Sequence, residues 1–134
     1  MLTDKLQEPT STQLESVKTS LEKYAQEIGK YGLISREEEE YLAHRTQLGD
    51  VNARNKLVQA NLRFAKLIAG EYYAGRTSME DLIGYGNIGL IEAANRFNPK
   101  KAKFVTYAVW WIRQAILQGI SEQRTVRLPD NRAD

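Results

Sequence analysis

The 134 residues contain no cysteine and a single histidine, His44. Without thiols there is no disulfide framework, thiolate metal site or cysteine nucleophile, and one histidine cannot build a zinc cluster or a histidine-based dyad. No apolar run approaches the roughly 18 residues needed to span a bilayer. The start, Met1-Leu2-Thr3-Asp4-Lys5, lacks the basic-then-apolar profile of a signal peptide, so a soluble, unexported, cytoplasmic protein with no membrane partner is expected. There is also no P-loop pattern, no strand alternation and no repeat with a period of 20 to 50 residues.

What remains is ordinary globular material, 42% hydrophobic and 27% charged, long enough to bury a core. The formal net charge is only +2, but it is uneven: residues 1–60 carry eight Lys/Arg against ten Asp/Glu, and residues 96–134 carry eight against three. A polyanion would bind at the basic end, although a merely solvated basic tail has the same composition.

The most informative stretch lies in that end. Thr106-Tyr107-Ala108-Val109-Trp110-Trp111-Ile112-Arg113-Gln114 brings three aromatic rings and a guanidinium together without a glycine or proline. On a helix at about 100° per residue, Ala108, Val109, Ile112, Ala115 and Ile116 form an aliphatic stripe. Tyr107, Trp110, Trp111, Arg113, Gln114 and Gln118 fall on the other side. The expectation is a surface that stacks flat rings such as unpaired bases; the alternative is that the tryptophans roof a neighbouring helix.

Taken in order, residues 1–11 read as a flexible end. Leu14, Val17, Leu21, Ala25 and Ile28 recur at helical spacing over Thr12–Ile28, with Gly29 and Gly32 as stops. Ser35 and Glu38 form a capping box for a helix whose acidic first turn, Glu37 to Glu40, reads as solvated capping charge rather than catalysis. Asp50 caps a long central helix over Val51–Tyr73, burying Leu57, Phe64, Ile68 and Tyr72. Ser78 caps another to about Phe97, and a helix holding the Trp pair runs to about Gln123. Arg124–Asp134 reads as a loop. The predicted fold is all-α, a compact multi-helix bundle without strands, with N-terminal helices at 12–50 and a core domain at 51–134.

Gly84, Gly86 and Gly89 sit inside the fourth helix, where each costs about 1 kcal/mol relative to alanine. Either another backbone approaches closely or the helix is distorted. Away from its core side lie Asp81, Gly84, Ile88, Ile91 and Glu92, an apolar seam with acidic edges. This seam is expected to dock a partner helix, or else to pack on the first helix of the same chain.

Three segments carry a family resemblance: Asn61-Leu62-Arg63-Phe64-Ala65-Lys66, Asp81-Leu82-Ile83-Gly84-Tyr85-Gly86-Asn87-Ile88-Gly89-Leu90, and Phe104 through Gln114, followed by Val126-Arg127-Leu128-Pro129. Their order and spacing resemble the second domain of primary-type bacterial RNA polymerase sigma factors. Tyr24–Gly32 and the helix from Ser35 are similar to the segment preceding that domain. The chain is expected to stop where the family's third domain would begin.

The resemblance implies a non-enzymatic factor, without a cofactor, that captures the non-template strand of the minus-ten promoter element. It implies that Phe97, Lys101 and Tyr107 line a pocket for a flipped adenine, that Trp110 and Trp111 wedge against the upstream duplex, and that Gln114 lies near the first base pair. Asn61 and Phe64 would hold a second flipped base, and Lys103, Arg113 and Arg127 would meet phosphates. Asp81, Gly84, Asn87, Ile88 and Ile91 would dock on the clamp helices of the largest subunit of the polymerase core. In most relatives the connection between Phe97 and Phe104 is one residue longer. The competing readings are a helical regulator that reads duplex DNA and a pure interaction module; the first calls for a polar reading helix rather than a Trp pair.

Overall fold

The computed structural model describes residues 6–26 and 34–132, with residues 124–132 as backbone alone. Among them are six α-helices and one 3-10 turn: α1 (Ser11–Ser20), the turn (Leu21–Tyr24), α2 (Arg36–Gln47), α3 (Val51–Gln59), α4 (Leu62–Gly70), α5 (Met79–Arg96) and α6 (Phe104–Arg132). No strand occurs among the described residues, and the fold is the all-α bundle expected.

The starts of the helices follow their caps. Ser35 Oγ accepts from Glu38 N at 3.1 Å, Asp50 Oδ1 from Ala53 N at 3.2 Å, and Ser78 Oγ from Asp81 N at 3.0 Å. Each satisfies one of the amides that a helix leaves unpaired at its first turn. The cap at the N-terminus was missed. Thr10 and Gln13 form a reciprocal capping box, and Leu6 packs against the core, so Leu6–Thr10 is tied down rather than frayed. The first helix is also shorter than Thr12–Ile28, tightening to the 3-10 turn at Leu21; Ile28, Gly29 and Gly32 lie outside the described residues.

The long central helix is two helices. Asn61 turns its side-chain amide back, and Nδ2 donates to Leu57 O at 3.0 Å. In an unbroken helix that carbonyl would take the Asn61 backbone N–H, which instead reaches Val58 O at 3.0 Å. The side chain has replaced the backbone donor, and the chain restarts as α4. At the other end, α6 runs on through Pro129 to Arg132, where a loop was expected from Arg124.

The most extensive packing is between α5 and α6, and the glycines explain its closeness. A Cβ on Gly89 would lie 2.5 Å from Trp111 O and 2.8 Å from Ile112 Cα, and one on Gly119 would lie 2.4 Å from the Tyr85 ring. Backbone therefore meets backbone at Gly89. A Cβ on Gly84 would meet nothing within 4 Å, so that glycine has no packing reason within the described residues. No helix among them is long and apolar enough to cross a membrane.

Candidate nucleic-acid interface

The first turns of α6 are buried on every side: each residue from Phe104 to Ile112 is buried. A helix buried all round needs neighbours all round, and besides α5 both α1 and α4 pack against α6. The result is a continuous aromatic cluster. Phe104 meets Phe97 edge-on at 5.0 Å between centroids, Phe97 meets Tyr107 at 5.9 Å, Tyr107 meets Trp111 at 6.3 Å, and Trp111 meets Trp110 at 5.1 Å. The Arg96 guanidinium lies over the Trp111 ring, 4.8 Å from its centroid.

The aromatic side of α6 was expected to face outward, and it does not. Tyr107 is 3% exposed, Trp110 8% and Trp111 0%, as in the alternative in which the tryptophans roof a neighbour. The segment just ahead of α1 brings a carboxylate, Glu8, to the cluster. Tyr107 Oη donates to Glu8 at 2.6 and 2.7 Å to the two oxygens, and Arg96 Nη1 lies 3.7 Å from Glu8 Oε2. Burial, and then this hydrogen bond, push the Tyr107 phenol well above its ordinary value, so it stays a neutral donor. Arg96 is held charged, chiefly by its hydrogen bond to Glu92.

Beside the cluster the surface is basic. Lys100, Lys101 and Lys103 from the connection between α5 and α6 meet Lys18 of α1 and Arg36 of α2 around a cleft of about 590 Å³. Lys103, expected at a phosphate, and Lys101, expected in the adenine pocket, are both exposed. The cleft also holds Glu39, the exception in the acidic run: it is buried, and Glu39 Oε1 accepts from Phe104 N at 3.2 Å. Its burial raises its carboxyl above the ordinary value, against the lowering pull of that bond and of Arg36 and Lys103. Solvated capping charge describes Glu37, Glu38 and Glu40 but not Glu39.

The remaining expected residues are scattered in role. Arg113 is half-buried; its Nη1 donates to Ser20 Oγ at 3.0 Å and its Nη2 lies 3.8 Å from Glu71 Oε1. Gln114 is half-buried one residue on. Asn61 and Phe64 are each 3% exposed; Asn61 Oδ1 is buried without a partner, and Phe64 packs edge-on against Tyr24 at 5.6 Å. The side chain of Arg127 lies outside the described ones.

The outer side of α5 contrasts with this. Ile88 and Ile91 are each 40% exposed, with Gly84 and Asp81 exposed beside them. Asn87 is half-buried with Oδ1 unpartnered, and Asp81 Oδ2 accepts from Gln123 Nε2 at 3.1 Å. Gln123 Oε1 in turn accepts from Thr77 Oγ1 at 3.2 Å. Sequence reasoning missed Glu8, Glu39 and Gln47, whose Nε2 donates to Phe97 O at 2.8 Å. Only Glu39 left a signal: it stands at helical spacing with the buried Leu42 and Ala43.

Comparison with known proteins accounts for this arrangement. The profile for sigma-70 region 2 matches residues 57–126, and that for sigma-70 factor region 1.2 matches residues 20–52. Over 108 residues the chain is 52% identical to the RNA polymerase sigma factor SigA of Clostridium acetobutylicum. It is 45% identical over 108 residues to the proteins of that name from Listeria monocytogenes and Listeria innocua. In each case the match covers 79% of this chain and 29% of the relative, so the chain spans under a third of these proteins. With region 2 matched from α3 into the long helix of the aromatic cluster, and region 1.2 from the 3-10 turn through α2, the chain belongs to the sigma-70 family of RNA polymerase sigma factors.

Proposed function

We propose that this chain recognises the minus-ten promoter element for a bacterial RNA polymerase, capturing the non-template single strand on the aromatic cluster while the outer side of α5 docks on the clamp helices of the polymerase. The observation that carries the reading is the gathering of Phe97, Tyr107, Trp110 and Trp111 into one cluster, flanked by exposed Lys101 and Lys103. Extruding a base from a stack costs a few kcal/mol, and stacking it on an aromatic ring returns about 1–3 kcal/mol. Neutralised phosphates add to that. The work is done by binding, and no bond need break.

On this reading Phe97, Lys101 and Tyr107 line the pocket of the flipped adenine, Trp110 and Trp111 abut the duplex edge beside Gln114, and Lys103, Arg113 and Arg127 meet phosphates. Asn61 and Phe64 hold a second base near the downstream end, with the unpartnered Asn61 Oδ1 available to an incoming donor. Because Glu8 holds the Tyr107 hydroxyl, entry of the strand requires Leu6–Ser20 to yield. Docking rests on the exposure of Ile88 and Ile91 and the open space over Gly84, with Asp81 and Asn87 as polar edges.

The test is tryptophan fluorescence against three oligonucleotides: the non-template single strand, the same strand with its flipped adenine replaced, and the matching duplex. Adenine-dependent quenching by the single strand, lost in Tyr107→Ala, is expected. Preference for the duplex would replace this reading with a groove-reading regulator.

A further inference from the structure

The connection that carries the lysines is held at both ends by one helix. Its residues, Asn98–Lys103, link the end of α5 to the start of α6. At the first end, Gln47 Nε2 donates to Phe97 O at 2.8 Å; at the second, Phe104 N donates to Glu39 Oε1 at 3.2 Å. Both acceptor and donor side chains belong to α2. Eight residues apart, they are separated by about 12 Å along the helix axis, and Ala43, midway between them, is 1% exposed. One face of α2 thus lies along the connection like a splint.

Little else fixes the middle of the connection. The 590 Å³ cleft opens between its lysines and Arg36, and a second of about 380 Å³ opens between Asn98–Lys100 and His44. Within the connection itself, Asn98 makes a local turn, its Oδ1 accepting from Lys100 N at 3.0 Å and its backbone O from Lys101 N at 3.1 Å. These bonds hold the turn's local shape, while the two side chains of α2 tie down its ends.

Glu39 is a costly way to fill a core position, since burying a carboxylate is unfavourable unless it gains a specific partner. Here it gains the first amide of α6, where the helix dipole also favours negative charge. An aliphatic residue would pack as well but would leave that amide unpaired.

We propose that Glu39 and Gln47 are positioning residues for strand capture: bonded to Phe104 N and Phe97 O, they set the span of the lysine-bearing connection and with it the distance of Lys101 and Lys103 from the Tyr107 cluster. The inference rests on the strand-capture reading above. It gives α2 a task other than touching DNA.

Two measurements on the same chain test it. Amide hydrogen exchange reports the restraint without DNA: Glu39→Ala should expose the Phe104 amide, and Gln47→Ala should speed exchange at Lys100 and Lys101, with Leu90 and Ile112 unchanged. Oligonucleotide binding then reports the consequence. Losing either bond should cut the affinity ratio between the adenine strand and its substituted counterpart about five-fold, the scale of one hydrogen bond. Glu39→Gln, which keeps an acceptor, should retain most of that ratio. Unchanged exchange, or faster exchange with an unchanged adenine ratio, overturns the proposal. A wild-type chain indifferent to the adenine overturns strand capture itself, and the exchange data still separate the two failures.

Discussion

The two surfaces proposed for partners stand in opposite states. The outer side of α5 is open, with Ile88 and Ile91 each 40% exposed, whereas the aromatic cluster of α6 is closed, its Tyr107 only 3% exposed and its hydroxyl bonded to Glu8. The open surface is apolar and needs no rearrangement to receive a helix. The closed one holds the Tyr107 hydroxyl against a carboxylate of the same chain. On the proposed reading, the protein partner would meet a ready-made surface, whereas the nucleic acid would have to compete with Glu8 for the other.

The sharpest way to break the contrast is a charge on the open side. Ile88→Glu should weaken polymerase binding about 30-fold, the effect of losing an interface hot spot near 2 kcal/mol, with no change in melting temperature. Equal loss of stability and binding would mean that Ile88 serves the fold.

The next effect separates the inner and outer flanks of α5 itself. Gly89→Ala must push a methyl into the Trp111 carbonyl and should destabilise the chain by about 1–3 kcal/mol. Gly84→Ala, with nothing within 4 Å, should stabilise it by up to about 1 kcal/mol through helix propensity and yet impair docking. Thermal melts of the pair give opposite signs if the two flanks differ as described.

A smaller change should open the closed side. Glu8→Ala removes the carboxylate on Tyr107 and should raise affinity for the single strand about five-fold, since an exchanged hydrogen bond contributes about 1 kcal/mol. Binding titrations at fixed salt check it, and a weaker complex would show that Glu8 assists the strand instead of excluding it.

How far these surfaces were legible follows from what each depends on. The open seam could be read from Ile88 and Ile91 at helical spacing, and the caps at Ser35, Asp50 and Ser78 from residue type and position, because both are local. The direction of the aromatic side could not. Periodicity divides α6 into two faces but does not say which neighbours cover the second, and the Tyr107 hydroxyl is held by a residue about a hundred positions away. The break at Asn61 was missed for a related reason: the side-chain bond to Leu57 O competes with the helix on nearly equal terms. Glu39 and Gln47 act across 65 and 50 residues, and neither spacing nor composition signals such bonds.

The smallest effect concerns pH. Burial raises Glu39 above its ordinary value of 4.5, so the folded chain holds that proton at a higher pH than the unfolded chain does. The stability contributed by protonated Glu39 is complete below the unfolded value and is lost as pH rises through the raised one. Glu39→Gln should therefore melt higher than wild type at neutral pH, with the gap narrowing on acidification; a gap that does not vary with pH would mean that Glu39 titrates normally.

At Gly89 two helix backbones touch with no side chain between them, so any slide or roll of α5 against α6 must disturb that contact. They behave as one lever with two working sides. If α5 docks at Ile88 as proposed, that grip would also set the bearing of the rings on α6, and docking would become a way of aiming: a partner need not reach the aromatic cluster to determine where it points.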